Sequence, residues 1–233
     1  MAKPKDPNRA ALEDVAHALG EDLLGELAFL GGAAVGLLVT DEAAPPVRPT
    51  KDVDCIIECA TRADYFGRIR RKLRDRGFTE MVGEDIPLCA WESGGIRLDV
   101  MPTGAGVLGF TNRWYEAAVA RADWRDLGLV RIRLVQAPHF AAAKLDAFHS
   151  RGEGDYYASR DLEDLIAVVN GRPSLAEEIQ AARPDLRTYL TEEFGEMLAS
   201  ADFRNALPGL VAEPGREEIV AERLRRIAGE IGR

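Results

Sequence analysis

Long apolar runs are missing from this sequence of 233 residues. The longest weakly polar stretch, Leu27 to Val39, is interrupted by three glycines and falls short of the roughly 20 apolar residues that cross a bilayer, so no transmembrane helix is expected. MAKPKDPNRA is charged and broken by proline with no apolar segment behind it of the kind a secretory signal needs, so no leader is expected and the cytoplasm is the expected location. Cysteine and histidine are scarce, at three each. An odd number of cysteines spread over a long chain does not build a disulfide framework, and Cys55, Cys59 and Cys89 are expected to be reduced and buried. Cys55 and Cys59 stand four apart, but too few further ligands are at hand for a four-coordinate zinc site. A positive balance is also absent. The net charge of −9 excludes a protein that coats nucleic acid non-specifically, because that affinity comes from basic side chains releasing phosphate counterions. There is no P-loop, since the glycines of Gly152-Glu153-Gly154-Asp155 lack a following Lys-Ser/Thr, and no internal repeat.

What is present is ordinary globular composition with one local departure. Arg62 to Arg76 carries Arg62, Arg68, Arg70, Arg71, Lys72, Arg74 and Arg76 against Asp64 and Asp75, about +5 in a chain whose remainder carries about −14. With Tyr65, Phe66, Ile69 and Leu73 at helical spacing, the segment reads either as a helix with a solvated basic face or as a patch for an anionic partner.

Periodicity predicts a helix over Ala10 to Leu24, a short strand over Leu27 to Leu30 running into Gly31-Gly32, and a helix over Ala33 to Val39. The proline-rich stretch 40–50 reads as a loop and Asp52 to Ile57 as a buried strand. After the basic helix, which Gly77 ends, come strand candidates at Phe78 to Val82, Leu88 to Glu92 and Ile96 to Met101. From about Gln136 the pattern turns helical: Pro138 to His149, Asp161 to Val169, Leu175 to Ala182, Leu186 to Leu198 and Glu217 to Ile231. The expected fold is α+β, with an α/β core over 1–135 and a helical C-terminal domain over 136–233. Trp91, Trp114 and Trp124 are expected to be core or partly buried residues.

Two carboxylates, Asp52 and Asp54, alternate on one face of a strand whose other positions are apolar, so they point the same way within a few ångströms. Such a pair repels unless a cation stands between, and Mg²⁺ suits it because that ion takes one or two carboxylates together with substrate phosphate oxygens. Asp99, on a neighbouring strand candidate, would complete a site for two ions. Gly31 and Gly32, between a strand and a helix, let the backbone approach an anion closely and aim N–H groups at it.

Strand, Gly31-Gly32, helix, then Asp52-x-Asp54 on the next strand and Asp99 on a later one: in this order the sequence resembles the DNA polymerase β-like nucleotidyltransferase superfamily. Over about 27–170 it looks most like the AbiEii/AbiGii-type toxin nucleotidyltransferases, on Arg48-x-Thr50-x-Asp52-Val53-Asp54, on Lys144 within Ala141-Ala142-Ala143-Lys144-Leu145-Asp146-Ala147, and on Arg160-Asp161-Leu162-Glu163-Asp164-Leu165. The resemblance implies a mixed-sheet nucleotidyltransferase core with flanking helices. It implies an enzyme that moves a nucleoside monophosphate from an NTP to tRNA, another RNA or a protein, with a role in toxin–antitoxin or phage-defence systems and a cognate antitoxin as partner. Asp52, Asp54 and Asp99 would be catalytic and would bind the metal, with Gly31, Gly32, Arg48 and Thr50 at the nucleotide. Lys144 would hold phosphates as a point charge, and Asp161 would position Lys144 or the acceptor. Two alternatives stand beside this reading: a small-molecule nucleotidyltransferase of the antibiotic-modifying kind, and a non-catalytic interaction module on the same fold.

Overall fold

The protein is described by a computed structural model over residues 6–150, 152, 154–211 and 213–230. Residues 1–5 of the N-terminal stretch, Glu153 of the glycine loop and Ile231 of the last expected helix lie outside the described residues. The chain is α+β and divides into two compact units, one built on Lys5–Gly36 and Arg48–Gln136, the other on Leu37–Val47 and Ala137–Arg233.

The first unit is organised on a mixed sheet of seven strands in the order β3-β4-β5-β2-β1-β7-β6. Helix α1 (Arg9–Glu26), bent at Gly20, buries Leu12, Val15, Ala16, Leu19 and Leu23, the stripe that the 3.6-residue period marks out. It leads into the wholly buried β1 (Leu27–Leu30), then α2 (Gly31–Leu38) and β2 (Asp52–Ile57). After α3 (Arg62–Asp64), a π-helical turn and α4 (Arg70–Asp75) come β3 (Thr79–Glu80), β4 (Ala90–Ser93) and β5 (Ile96–Pro102). The unit is completed by α5 (Ala105–Leu108), α6 (Tyr115–Ala120) and a hairpin of β6 (Asp123–Leu127) and β7 (Val130–Leu134), turning at Gly128 with φ +64°.

Several expectations are corrected or narrowed here. The helix expected over 62–76 is not continuous: its middle, Tyr65–Ile69, is a π-helical turn, and Tyr65 donates its hydroxyl to the Val100 carbonyl of β5 at 2.7 Å. Most of its basic side chains are engaged in ion pairs within the same unit. Arg68 pairs with Asp64 (2.7 Å) and Glu26, Lys72 with Glu26, Arg70 and Arg74 with Glu80, and Arg76 with Asp22. Neutralisation from within therefore consumes most of the local positive charge. Trp124 is not a core residue: on the edge strand β6 it is 46% exposed beneath the Arg131 guanidinium, whereas Trp91 is buried. The strand candidates at 78–82 and 88–92 shorten to Thr79–Glu80 and shift to Ala90–Ser93, leaving Val82 and Leu88 exposed.

The second unit is helical: α7 (Ala137–Ser150), α8 (Arg160–Gly171), α9 (Leu175–Gln180), α10 (Pro184–Ala199), α11 (Ala201–Leu210) and α12 (Glu217–Ile227). Its core holds Phe140, Leu145, Phe148, Leu165, Ile166, Leu190, Phe194, Phe203 and Leu224. The segment 37–47 belongs with it because the Thr40 and Asp41 amides donate to the Gly171 carbonyl (2.8 and 2.9 Å) and the Asp41 carboxylate takes Arg216 (2.8 Å) and Arg223 (3.3 Å).

Candidate active site

Strand β1 ends where its last residue, Leu30, stands opposite Asp54 in the antiparallel ladder with β2. The next residue, Gly31, opens α2 with φ +77°, and a Cβ built on it would overlap the Asp54 carboxylate. Two independent requirements therefore converge on glycine: a left-handed backbone and the absence of a side chain where the aspartate lies. Gly32 follows as the second residue of the helix.

Strand β2 separates its residues by face. Val53 and Cys55 are buried, while Asp52 and Asp54 are only partly covered. The parallel neighbour β5 pairs Asp52 with Arg97 and Asp54 with Asp99. With strands roughly 4.8 Å apart, this register sets the Asp54 and Asp99 side chains beside each other on the face that also carries Asp52. Asp99 is 8% exposed and accepts two hydrogen bonds from the Arg97 fork, Nε at 2.8 Å and a terminal nitrogen at 2.7 Å. The bond to Asp99, aided by the Asp52 charge, raises the Arg97 pKa. Beneath this face, burial and then the charges of Asp54 and Asp99 push the Cys55 thiol well up. Burial and the same two carboxylates take Cys89 to about 12. Both thiols are therefore held in the protonated form, which disfavours them as nucleophiles.

Hard carboxylate oxygens are the donor set that Mg²⁺ prefers, and Asp52, Asp54 and Asp99 supply three of them on one face. Among the described residues, however, no group of three or more His, Cys, Asp or Glu side chains is gathered as a metal centre. The chemistry of the donors fits the ion, while the Asp99 carboxylate is engaged by Arg97.

Thr50 and Arg48 are held just before β2 by a residue that the sequence does not single out. Asn8, 2% exposed, donates from Nδ2 to the Arg48 carbonyl (3.0 Å) and accepts the Thr50 amide on Oδ1 (2.8 Å). An asparagine preceding a helix reads as an N-cap, yet this side chain makes no capping bond to α1. The Thr50 hydroxyl donates to the Asp52 carbonyl at 3.1 Å.

Within the helical unit, Lys144 on α7 is 9% exposed and donates to Asp161 Oδ1 (2.9 Å) and Asp164 Oδ2 (2.7 Å) on α8. Lys144 is not a surface lysine on an exposed alanine-rich helix: Ala141, Ala142 and Ala143 are buried too, and their small side chains suit the close packing of α7 on α8. Ser159 caps α8 by accepting the Leu162 amide (3.3 Å), which fixes the start of the turn that carries Asp161. Asp164 proves as much a partner of Lys144 as Asp161. Reading the sequence also missed Arg97, whose signal was its place two residues before Asp99 on the same strand face.

No protein-family model matches the chain, and no curated protein matches it. Among solved structures, it is similar to ANT(2")-Ia in complex with adenylyl-2"-tobramycin, with 17% identity, a TM-score of 0.43, and coverage of 78% of this chain and 97% of that one. A similarity of that depth leaves the site to be argued from this chain's own residues.

Proposed function

We propose that this protein is a metal-dependent nucleotidyltransferase. The observation that carries the reading is the register of Asp54 with Asp99 beside Asp52, with the Gly31 backbone pressed against Asp54. Like charges side by side on a sheet are unfavourable, so three carboxylates on one face serve a purpose other than stability. Mg²⁺ bound by Asp52, Asp54 and Asp99 would supply positive charge for a triphosphate and for the oxygens of the attacking and leaving groups. Gly31 and Gly32 open α2, and the backbone amides there suit a phosphate. In the reaction, an acceptor hydroxyl oxygen bonds to the α-phosphorus of an NTP, the bond from that phosphorus to the bridging oxygen breaks, and pyrophosphate leaves. Asp99 takes the hydroxyl proton once its oxygens are released by Arg97. By the resemblance, Lys144, held within the helical unit by Asp161 and Asp164, would serve as a cation for phosphate, and Arg48 and Thr50 would flank the nucleotide.

The resemblance of the Arg48-x-Thr50-x-Asp52-x-Asp54, Lys144 and Arg160-Asp161 motifs to AbiEii/AbiGii-type toxins supports a macromolecular acceptor, RNA or protein, and a cognate antitoxin. A second reading, transfer to a small molecule, is favoured by one observation: the basic residues of 62–76 that would have drawn RNA are engaged in internal ion pairs. The test is incubation with each α-labelled NTP and Mg²⁺ in the presence of total RNA, lysate protein or a set of aminoglycosides. Label should pass to one acceptor class with the wild type and to none with the Asp52→Asn/Asp54→Asn variant, whose circular dichroism should match that of the wild type. Undiminished labelling by that variant would refute the assignment, as would a wild type inert toward every acceptor.

A further inference from the structure

Arg97 has no place in the reading above except as the residue that holds Asp99, and its surroundings single it out. In the sheet it stands between Asp52 on β2 and Glu92 on β4, and Asp99 follows two residues along on its own strand and face. The Glu92 carboxylate is turned to the β4–β5 turn, where Oε1 accepts the Gly95 amide at 2.8 Å. Asp99 thus receives the guanidinium fork in a two-point pair. Such pairs are the strong form of the charge-assisted hydrogen bond, because the planar fork matches the carboxylate. An arginine in the middle of an acidic face does for the metal-free protein what a bound cation would do: it offsets the repulsion between Asp99, Asp54 and Asp52.

We propose that Arg97 is a positioning residue that acts as an internal counter-cation, occupying Asp99 in the metal-free protein and surrendering it when a divalent cation binds. The inference rests on the reading that this face takes a divalent cation. Its consequence is that Arg97 opposes metal binding. Metal affinity in the wild type is set below what three carboxylates could give, and full loading is coupled to withdrawal of the guanidinium from Asp99.

The experiment measures Mn²⁺ binding to the full chain by calorimetry and by electron paramagnetic resonance, for wild type and Arg97→Gln, with no nucleotide or acceptor present. Removing the competitor should tighten Mn²⁺ binding roughly 10- to 100-fold, the range that corresponds to the loss of one charge-assisted pair. Arg97→Lys, which keeps the charge and loses the fork, should fall between. The metal-free Arg97→Gln protein should melt below wild type and recover more of its melting temperature on adding Mn²⁺. A second measurement needs no variant to fold well: in wild type, the Nε–Hε NMR signal of Arg97 should move as Mg²⁺ is added and saturate with metal occupancy. Equal Mn²⁺ affinity in wild type and Arg97→Gln, weaker binding in the variant, or an Arg97 signal indifferent to Mg²⁺ each overturns the proposal while leaving the metal site standing. Failure of both proteins to bind Mn²⁺ overturns the metal site and the proposal together.

Discussion

Gly31→Ala is a one-methyl change whose cost can be worked out from two separate features of the structure. At φ +77° an L-residue pays about 1–2 kcal/mol for the left-handed backbone. The added methyl also overlaps the Asp54 carboxylate, and relieving a contact of that kind in a packed strand pair costs about 1–3 kcal/mol. Together the two give about 2–5 kcal/mol, a large share of the roughly 5–15 kcal/mol that holds a domain folded. All three tryptophans, Trp91, Trp114 and Trp124, lie in the sheet unit, so equilibrium unfolding in urea followed by their fluorescence reports on the unit that carries the change. Gly25→Ala is the control: exposed, helical, with ordinary φ and open space around it, it should be neutral or stabilise by up to about 1 kcal/mol. The two contributions separate in a double-mutant cycle. In an Asp54→Ala background the overlap with the carboxylate is gone while the close approach to the residue-54 Cβ remains, so Gly31→Ala should cost the backbone strain and only part of the contact penalty. If Gly31→Ala costs the same in both backgrounds, the close approach of Gly31 to Asp54 has no energetic reality. A Gly31→Ala protein within about 0.5 kcal/mol of wild type would refute both parts.

Three further outcomes are expected. Lys144→Ala leaves Asp161 and Asp164 buried together without their cation and should cost about 3–5 kcal/mol by thermal or chemical denaturation, with partial rescue by Asp161→Asn; an unchanged melting point would show that the triad does not form. Reversing Arg68 and Lys72 to Glu places like charges against Glu26, so stability should fall by about 1–2 kcal/mol and recover with added salt, while the salt slope of RNA binding, measured by filter retention, should not change. The Asp41 pKa is lowered, chiefly by its hydrogen bond from Arg216, so the stabilisation it contributes is present above the ordinary carboxylate range and lost as pH falls through that range and below it. Asp41→Asn should therefore lower stability at pH 7 and flatten the acid side of the stability profile.

The elements that sequence reading located well are those whose local signals agree with their surroundings. Strand β2 was legible to the residue because Val53, Cys55, Ile56 and Ile57 are apolar between turn residues, and β1 because it runs straight into two glycines. The β6–β7 hairpin escaped. Asp-Trp-Arg-Asp-Leu is an edge strand with most of its side chains in solvent, so burial leaves no alternating pattern in it, although Val-Arg-Ile-Arg-Leu on β7 does alternate. Partners far along the chain were not legible at all. Two of the acids that neutralise the basic segment, Glu26 and Asp22, lie more than 40 residues upstream of their partners, and a count of charge within 62–76 cannot contain them. The same holds for Asn8, whose amide spans 40 and 42 residues to Arg48 and Thr50 and so leaves its own helix uncapped.

The candidate site was legible as residue types and illegible as pairings, and the difference bears on how such a site works. Side-chain alternation places Asp52 and Asp54 on one face, and the sequence alone shows this. Which carboxylate sits beside which is decided by the parallel register of β2 with β5, where a slip by one residue would turn Asp99 to the opposite face and Val100 toward solvent. That register is fixed by the apolar residues of the other face, Val53 against Leu98 and Cys55 against Val100, all buried. Core packing thus holds the acidic face in an arrangement that electrostatics alone would not choose. A neutral replacement at Asp54 would relieve repulsion, so in the proposed reading this position trades local consistency for function. Arg97 fits the same logic from the other side: placed in the row between Asp52 and Glu92, it supplies from within the chain the positive charge that offsets the acidic face, and in the proposal above a divalent cation would compete with it for Asp99.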